Sequence, residues 1–298
     1  MPLYSAYGLR CASEFDLPGL VAAESADADV EFSYGSVRAA PTQGSWYRLA
    51  PTESALVWED VGAFSIEAGS RIVVDVPRPA SRTVAHAVLG PAMALLLQQR
   101  GLTPLHASAV AVDGTATLIA GESGAGKSTL ARALLDRGCA LVTDDIAAVE
   151  VDGSRAQIAP GPASLRLWPE ALDRLGVGLD ETERLHEETK KRLESIASAP
   201  QATTDAIPVR RICILTDGER IALQRIDRVS AAIQILAHIY YPELIGGAVE
   251  PQELFGQCAA IASSVETLAL ERPRGLEHLD GIADLLLGSD PLGPATGD

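Results

Sequence analysis

The chain has 298 residues, a length that predicts two modest domains or one large one, and its 47% hydrophobic and 21% charged residues are typical of a folded protein. Its 24 Lys and Arg against 40 Asp and Glu give a formal net charge of −16, which repels phosphate backbones and disfavours nucleic acid as a partner. A small anionic ligand is still compatible with this charge, because a lysine about 4 Å from a phosphate contributes about 4 kcal/mol at an intermediate dielectric.

Residues 1–101 predict a β-rich N-terminal domain that ends in a helix. From Tyr4 to Pro79, short segments of alternating apolar and polar residues are separated by Gly and Pro, a pattern typical of antiparallel strands. The carboxylates of this region are scattered, without metal-ligand spacing, and predict a solvated surface: Glu24, Asp27, Asp29, Glu59, Asp60 and Glu67.

Segment 81–101 predicts a helix, with Ser81 as its N-cap and Gly101 beyond its last turn. Pro91 must kink or split this helix. The apolar stretch 85–97 is shorter than the roughly 20 residues of a membrane-spanning helix, so no membrane span is expected. Because the N-terminus also lacks the pattern of a secretory signal, the sequence predicts a cytoplasmic protein.

The four cysteines are far apart in the sequence and have none of the short pair spacings of a zinc or redox site. A disulfide framework is typical of smaller, secreted chains. We therefore expect buried apolar residues or unreactive thiols at Cys11, Cys139, Cys213 and Cys258.

Residues 102–298 predict a second domain, an α/β fold. Strand-like segments at 105–113 and 115–121 are followed by a helix and by another strand-like segment at 140–151, an order that indicates a mixed sheet flanked by helices. Past residue 205 strand and helix patterns alternate to the end, including a helix that ends at Pro242. No low-complexity linker separates the two halves, so we expect them to pack together.

The residues from Gly121 to Ser128, GESGAGKS, fit the P-loop pattern G-x-x-x-x-G-K-[ST]. Glycines let the backbone turn its N–H groups inward towards phosphate oxygens, and the N-terminus of the following helix adds positive charge. In such a loop Lys127 neutralises the β- and γ-phosphates, and the hydroxyl of Ser128 ligates Mg²⁺. The motif predicts a site for a nucleoside triphosphate, with ATP and Mg²⁺ as the expected ligands. The whole nucleotide-binding set is Gly121, Glu122, Ser123, Gly124, Ala125, Gly126, Lys127, Ser128 and Thr129.

Two acids, Asp144 and Asp145, end the strand that follows the P-loop helix. Adjacent strand residues point to opposite faces, so we expect the two carboxylates to have different roles. One suits a metal site, held directly or through water, and the other suits a base that takes the proton of an acceptor hydroxyl.

The run LHASAVAVDGTATLIAGESGAGKSTLARALLDRGCALVTDD resembles the core of the HPr serine kinase/phosphorylase C-terminal domain, whose P-loop is related to that of ATP-dependent phosphoenolpyruvate carboxykinase. The resemblance implies an ATP-dependent serine kinase in which Asp144 belongs to the magnesium site and Asp145 is the catalytic base. It also implies that His106 lies near the transferred phosphate and, with Lys127, completes the catalytic set. The other histidines, His86, His186, His238 and His278, are expected to be structural or at the surface.

The sequence departs from the HPr enzymes in two places. The glycine-rich signature with a metal-binding glutamate is replaced by IAPGPASLRLWPEAL, and the N-terminal half differs, so neither HPr recognition nor the reverse phosphorylase reaction is implied. The layout is more similar to stand-alone kinases that phosphorylate a serine of lasso-peptide precursors, a resemblance carried by QQRGLTPLHASAV, PGPASLRLWPEAL and HIYYPEL. It implies a ribosomally made precursor peptide as the acceptor. The HPr enzymes also imply a possible homo-oligomer.

Further cations are candidates for contacting the γ-phosphate or an acidic peptide: Arg166, Lys190, Lys191 and Arg192. The last three lie on a segment, 181–197, whose pattern predicts a helix, where pairs such as Glu187 with Lys191 favour a solvated face. Trp168 is expected to be a packing anchor. Three alternatives to a peptide-tailoring kinase stay open: an HPr-like protein kinase, a kinase of free serine or another small metabolite, and a non-catalytic ATP-gated peptide-binding module.

Overall fold

The computed structural model describes residues 1–23, 27–37, 44–185, 189–196 and 205–288. The predictions for Glu24, His186 and Glu187 lie outside these ranges. No helix of the described residues is both long enough and apolar enough to cross a membrane.

The N-terminal part forms one eight-stranded sheet. Its strands are β1 (Leu3–Ala6), β2 (Leu9–Ser13), β3 (Val21–Ala22), β4 (Val30–Tyr34), β5 (Trp46–Arg48), β6 (Glu53–Trp58), β7 (Gly62–Glu67) and β8 (Arg71–Asp75). They lie in the order β3-β1-β2-β4-β8-β7-β6-β5. The predicted antiparallel pairing is found for most neighbouring strands, but β4 pairs in parallel with both β2 and β8. Strand β2 ends at Ser13 and β4 begins at Val30, and this separation in sequence is long enough for the chain to return and start a parallel strand.

A buried, interrupted helix joins the two halves. It comprises α1 (Arg82–Ala87), a π-helical turn (Val88–Ala92) that contains Pro91, and α2 (Met93–Gln99). The Ser81 hydroxyl accepts a hydrogen bond from the Val84 N–H at 3.3 Å, which confirms the N-cap. Helix α2 contacts β7, and its residues 93–97 are at most 1% exposed. One hydrophobic core therefore continues from the N-terminal sheet into the second half of the chain.

The second half is built on a nine-stranded sheet, whose mixture of parallel and antiparallel strands agrees with the prediction. The strands are β9 (Thr103–Leu105), β10 (Ala107–Val112), β11 (Thr115–Ala120), β12 (Ala140–Thr143), β13 (Ala147–Asp152), β14 (Arg155–Ile158), β18 (Ile207–Asp217), β19 (Ala222–Arg225) and β20 (Glu266–Arg272). Seven of them follow the order β12-β10-β11-β18-β14-β13-β9, and β20 pairs with both β18 and β19.

Helices cover both faces of this sheet. Helices α3 (Lys127–Leu135) and α8 (Leu279–Leu287) pack together on one face, in a core that includes Cys213. Helices α5 (Arg228–Ala237) and α7 (Pro251–Ser264) pack on the other, in the core that includes Ile212. Neighbouring residues of β18 thus serve opposite layers, because side chains alternate across a strand.

The described residues of segment 181–197, which was predicted to be a helix, instead contribute two strands to a small third sheet. Strand β17 (Arg192–Ser195) lies between β15 (Ser164–Leu167) and β16 (Thr182–Arg184). The Glu- and Lys-rich composition has good helix propensity, but strand pairing and an Arg132–Glu194 ion pair of 2.9 Å to α3 outweigh it. Helix α4 (Pro169–Leu175) follows β15.

The helix predicted to end at Pro242 ends earlier, at Ala237, and Pro242 instead begins a separate helix. Helix α5 ends at Ala237, and α6 (Pro242–Ala248) begins after Tyr241, whose φ of 45° is outside the helical range. The residues between these helices, 238–241, enter the candidate site described next.

Candidate active site

The P-loop has the backbone conformation that its glycines permit. The loop leaves β11 at Ala120, and α3 begins at Lys127 with Gly126 as its N-cap. Gly124 and Gly126 have φ values of 82° and 90°, in the left-handed region that glycine enters without a Cβ penalty. Since the first N–H groups of a helix have no partner inside it, the start of α3 offers donors and positive dipole charge to an anion.

Lys127 lies inside this loop and is only 6% exposed. Its Nζ donates to the carbonyls of Gly121 at 2.9 Å and Glu122 at 3.0 Å. Burial lowers the pKa of Lys127 to about 8, against the opposing effect of Asp144 and Asp145. The ammonium is thus still largely protonated at neutral pH, and phosphate oxygens can replace the two carbonyls as its acceptors.

Asp144 and Asp145 have different surroundings. The Oδ1 of Asp144 accepts from the Ser108 hydroxyl at 2.6 Å, and its Oδ2 accepts from the Arg166 backbone N–H at 2.9 Å. Asp145 has a φ of 74°, and its Oδ2 accepts from the Arg166 side chain and from the Tyr240 hydroxyl, the latter at 2.9 Å. Its Oδ1 lies 3.5 Å from His106 Nδ1. The two carboxylates thus have different hydrogen-bond partners, apart from Arg166, which contacts both.

Asp145 is an ionised carboxylate at neutral pH. Burial alone raises its pKa, but the charge of Arg166, the proximity of His106 and the hydrogen bond from Tyr240 outweigh burial and lower it overall. Its side chain is 14% exposed and that of Arg166 is 17% exposed, so this ion pair is largely, but not completely, shielded from water. The Oδ2 atom of Asp145 accepts two hydrogen bonds, and Oδ1 faces His106. Oδ1 therefore has a free lone pair with which to accept a proton.

His106 precedes β10 and reaches the same end of the sheet as the two acids. Burial lowers the pKa of His106 despite the attraction of Asp145, so the imidazole is neutral at pH 7. Its Nδ1 lies 3.2 Å from the backbone carbonyl of Asp145. A carbonyl only accepts hydrogen bonds, so this contact requires a hydrogen on Nδ1 and leaves Nε2 as an acceptor.

The other predicted cations divide into two groups. Arg166 lies at the centre of the site, through its contacts to both acids, and Lys191 lies beside it. Lys190 is exposed, and Arg192 donates to the Thr182 carbonyl at 2.6 Å within the third sheet. Neither of these two is among the described residues that line the cavities of the site.

Trp168 is not the packing anchor that its size predicts, since it is 44% exposed. It lines the P-loop cavity, and the Nζ of Lys191 lies 5.5 Å from its ring centroid. The aromatic ring therefore helps to hold Lys191 near the site through a cation–π contact.

Two cavities meet at these residues. The phosphate cradle, of about 270 Å³, is formed by the P-loop with Asp144, Trp168 and their neighbours. The acceptor cleft, of about 840 Å³, extends from the cradle to the N-terminal sheet, where Trp58 and Val61 line it. The residues common to both are His106, Ser123, Asp145, Arg166 and Lys191. Asp145 thus lies where the contents of the two cavities would touch.

Sequence reasoning missed Ser108 and Tyr240, whose side chains bond to the two acids. Ser108 lies two residues after His106 and so on the same side of its strand, a weak signal that could have indicated it. Tyr240 approaches Asp145 from 95 positions along the chain, and no local pattern indicates that contact. The tyrosine ring also packs edge-on against His106, with centroids 5.7 Å apart.

The donor set fits a magnesium ion of the kind found with nucleotides. The described residues contain no group of three His, Cys, Asp or Glu side chains that could hold a metal ion on their own. Mg²⁺ needs fewer protein ligands in nucleotide sites, because it keeps several waters and uses one or two protein oxygens together with phosphates. Asp144 and Ser128 line the same cradle and could provide those oxygens.

Residues 98–190 match the family model of the HPr serine kinase C-terminal domain. The matched segment contains the P-loop, both aspartates and Arg166, and it confirms the resemblance to HPr kinases that the motifs indicated. The structure of the Hpr(Ser) kinase/phosphatase from Coxiella burnetii aligns with 61% of this chain and 93% of its own, at 15% identity and a TM-score of 0.33. No curated protein matches the chain. Over residues 98–190, the match indicates the domain of an ATP-dependent serine kinase.

Proposed function

We propose that this chain, whose residues 98–190 match the HPr serine kinase C-terminal domain, transfers the γ-phosphoryl group of Mg-ATP to a serine hydroxyl of a peptide, such as a ribosomally made lasso-peptide precursor. The observation that carries the proposal is the meeting of the phosphate cradle and the acceptor cleft at Asp145. A kinase needs a base where donor and acceptor touch, whereas an ATP sensor does not.

The chemistry follows from the positions of the charges. Asp145 Oδ1 accepts the proton of the serine hydroxyl as the serine oxygen forms its bond to the γ-phosphorus. The bond from this phosphorus to the β–γ bridging oxygen breaks, and ADP leaves with the negative charge that Lys127 neutralises. Bound Mg²⁺, held by Asp144 and Ser128, would supply further charge neutralisation on the phosphates.

The dimensions of the cleft favour a peptide over a free amino acid. Its volume of about 840 Å³ lies within the range of sites that enclose ligands far larger than serine. Trp58 and Val61 come from the N-terminal part of the chain, and Tyr241, which is 50% exposed, comes from the second half. These apolar side chains line the cleft outside the phosphate cradle, so they would contact the peptide residues that flank the serine. The lasso-peptide assignment rests on the resemblance of the sequence motifs.

The test is phosphoserine detection by mass spectrometry after incubation of the full chain with Mg-ATP. Three acceptors are compared: a peptide library with a fixed central serine and random flanks, the same library with alanine in its place, and free L-serine. The proposal predicts phosphoserine in the first library alone, lost in Lys127→Ala and Asp145→Asn. Phosphorylation of free serine only would favour the metabolite kinase, and tight ATP binding without any transfer would favour the ATP-gated module. Transfer that persists in both variants would refute the site assignment.

A further inference from the structure

The charges of the acceptor cleft are unevenly distributed. The part that the cleft shares with the phosphate cradle contains the cations Arg166 and Lys191 beside Asp145. Outside that part, the only Asp, Glu, Lys or Arg side chains among the described lining residues are Glu122 and Glu243. A cationic region suits phosphates, whereas a region whose charged side chains are both acidic suits a positively charged group of the acceptor.

The two glutamates differ in the charges around them. Both are exposed, and neither side chain makes an ion pair or a hydrogen bond among the residues that the structure describes. Glu122 acts on Arg274 at longer range and contributes to the raised pKa of that guanidinium. The charge of Glu243 instead reaches Tyr241, where it adds to the effects of burial and of Asp145 that raise the pKa of the phenol. Glu243 is thus the carboxylate that is left for a ligand.

Tyr241 places an aromatic ring beside this carboxylate. Its φ of 45° is in the left-handed region, which costs a bulky residue conformational free energy and is most often retained at functional sites. Its ring is tilted against that of Tyr240, with centroids 4.9 Å apart, and Tyr241 is 50% exposed. Since the Tyr240 hydroxyl donates to Asp145, this turn presents one tyrosine to the base and leaves the next one in the cleft.

A half-exposed aromatic ring next to an unpaired carboxylate favours one class of side chain. An ammonium or guanidinium group is attracted by the face of the ring and forms charge-assisted hydrogen bonds with the carboxylate. An uncharged apolar side chain gains the ring contact alone. An acidic side chain is repelled by Glu243, so the pair discriminates against it as well as favouring the cation.

From this arrangement we infer that Tyr241 and Glu243 bind a Lys or Arg side chain of the acceptor peptide, a role that rests on the proposed function. Tyr240 contacts both Asp145 and Tyr241, so the bound cation belongs to a residue within about three positions of the phosphorylated serine. Glu243 and Tyr241 determine specificity in this scheme and do not touch the reacting atoms.

The experiment measures kcat/KM of the full chain for serine-centred peptides at saturating Mg-ATP. One flanking position at a time, from three residues before the serine to three after it, carries Lys, uncharged norleucine or Glu in an alanine background. The inference predicts that at one position or more Lys exceeds norleucine about tenfold, and Glu by more. Glu243→Gln should reduce the Lys-to-norleucine ratio to about three or less, and Glu243→Lys should make the Glu peptide the better acceptor. Tyr241→Leu should reduce the ratio about two- to fivefold, and the KM for ATP should stay unchanged in all three variants.

The matched control is Glu253→Gln. Glu243 and Glu253 each lie in the first turn of a helix that begins with Pro, so both substitutions remove the same favourable interaction with the helix dipole, but Glu253 does not line the cleft. This variant should keep the wild-type ratio. Equal kcat/KM for Lys and norleucine at every position, a preference for Lys that survives Glu243→Gln, or an equal loss in Glu253→Gln would overturn the inference. Absence of phosphoserine on every peptide would refute the proposed function itself.

Discussion

Replacing Arg166 by methionine tests the electrostatic centre of the site through stability. The change removes the cationic partner of the Asp145 carboxylate, whose side chain is 14% exposed, while the backbone N–H that binds Asp144 is kept. Removal of one partner from a buried ion pair leaves an uncompensated charge and typically costs about 3–5 kcal/mol. Since both side chains keep some contact with water, we expect the lower end, about 3 kcal/mol.

The assay is the free energy of unfolding from urea titration. The double variant Arg166→Met with Asp145→Asn should be more stable than the sum of the single changes predicts, because it has no unpaired charge, and the coupling should be about 1–3 kcal/mol. The matched control is Arg174→Met, which removes an exposed partner of Asp280 at 2.8 Å and should cost about 1 kcal/mol or less. An Arg166→Met variant no less stable than Arg174→Met would refute the reasoning.

Four further predictions concern catalysis and reactivity. Asp145→Asn should lower the rate of phosphate transfer by about 10²–10⁴-fold without weakening ATP binding, as measured by rapid-quench kinetics and titration; a normal rate would contradict the role of base. Lys127→Ala should weaken Mg-ATP binding by up to about a thousandfold, the equivalent of roughly 4 kcal/mol, and unchanged affinity in a titration would exclude Lys127 from the phosphate site. Tyr240→Phe removes the 2.9 Å hydrogen bond to Asp145 and should reduce kcat about tenfold with an unchanged KM for ATP, whereas an effect on KM alone would point to a different role. Thiol titration at about pH 8 should find all the cysteines unreactive until the protein unfolds, because burial raises the pKa of Cys11 and Cys258 to about 12.

Local sequence patterns predicted the parts of the fold that depend on neighbouring residues. The P-loop between β11 and α3 needs glycines at left-handed positions and a helix start at Lys127, and all of these lie within one short segment. The Ser81 cap and the interruption at Pro91 are equally local, since a hydroxyl and a proline ring act within one helical turn.

What the sequence could not indicate depends on contacts between distant segments. The third sheet forms because β17 has partners on both sides, which outweigh the helix propensity of its charged residues. Arg166 and Tyr240 reach the same oxygen of Asp145 from separations of 21 and 95 residues, so their joint role emerges only from the tertiary structure. The acceptor cleft likewise needs the N-terminal sheet next to the P-loop half.

The most direct test of the account is a crystal structure of the full chain with Mg²⁺, a non-hydrolysable ATP analogue and a serine-containing peptide. We predict the triphosphate in the loop from Gly121 to Ser128 and the serine Oγ within hydrogen-bonding distance of the Asp145 carboxylate. A triphosphate bound elsewhere, or a peptide hydroxyl that lies away from Asp145, would contradict it.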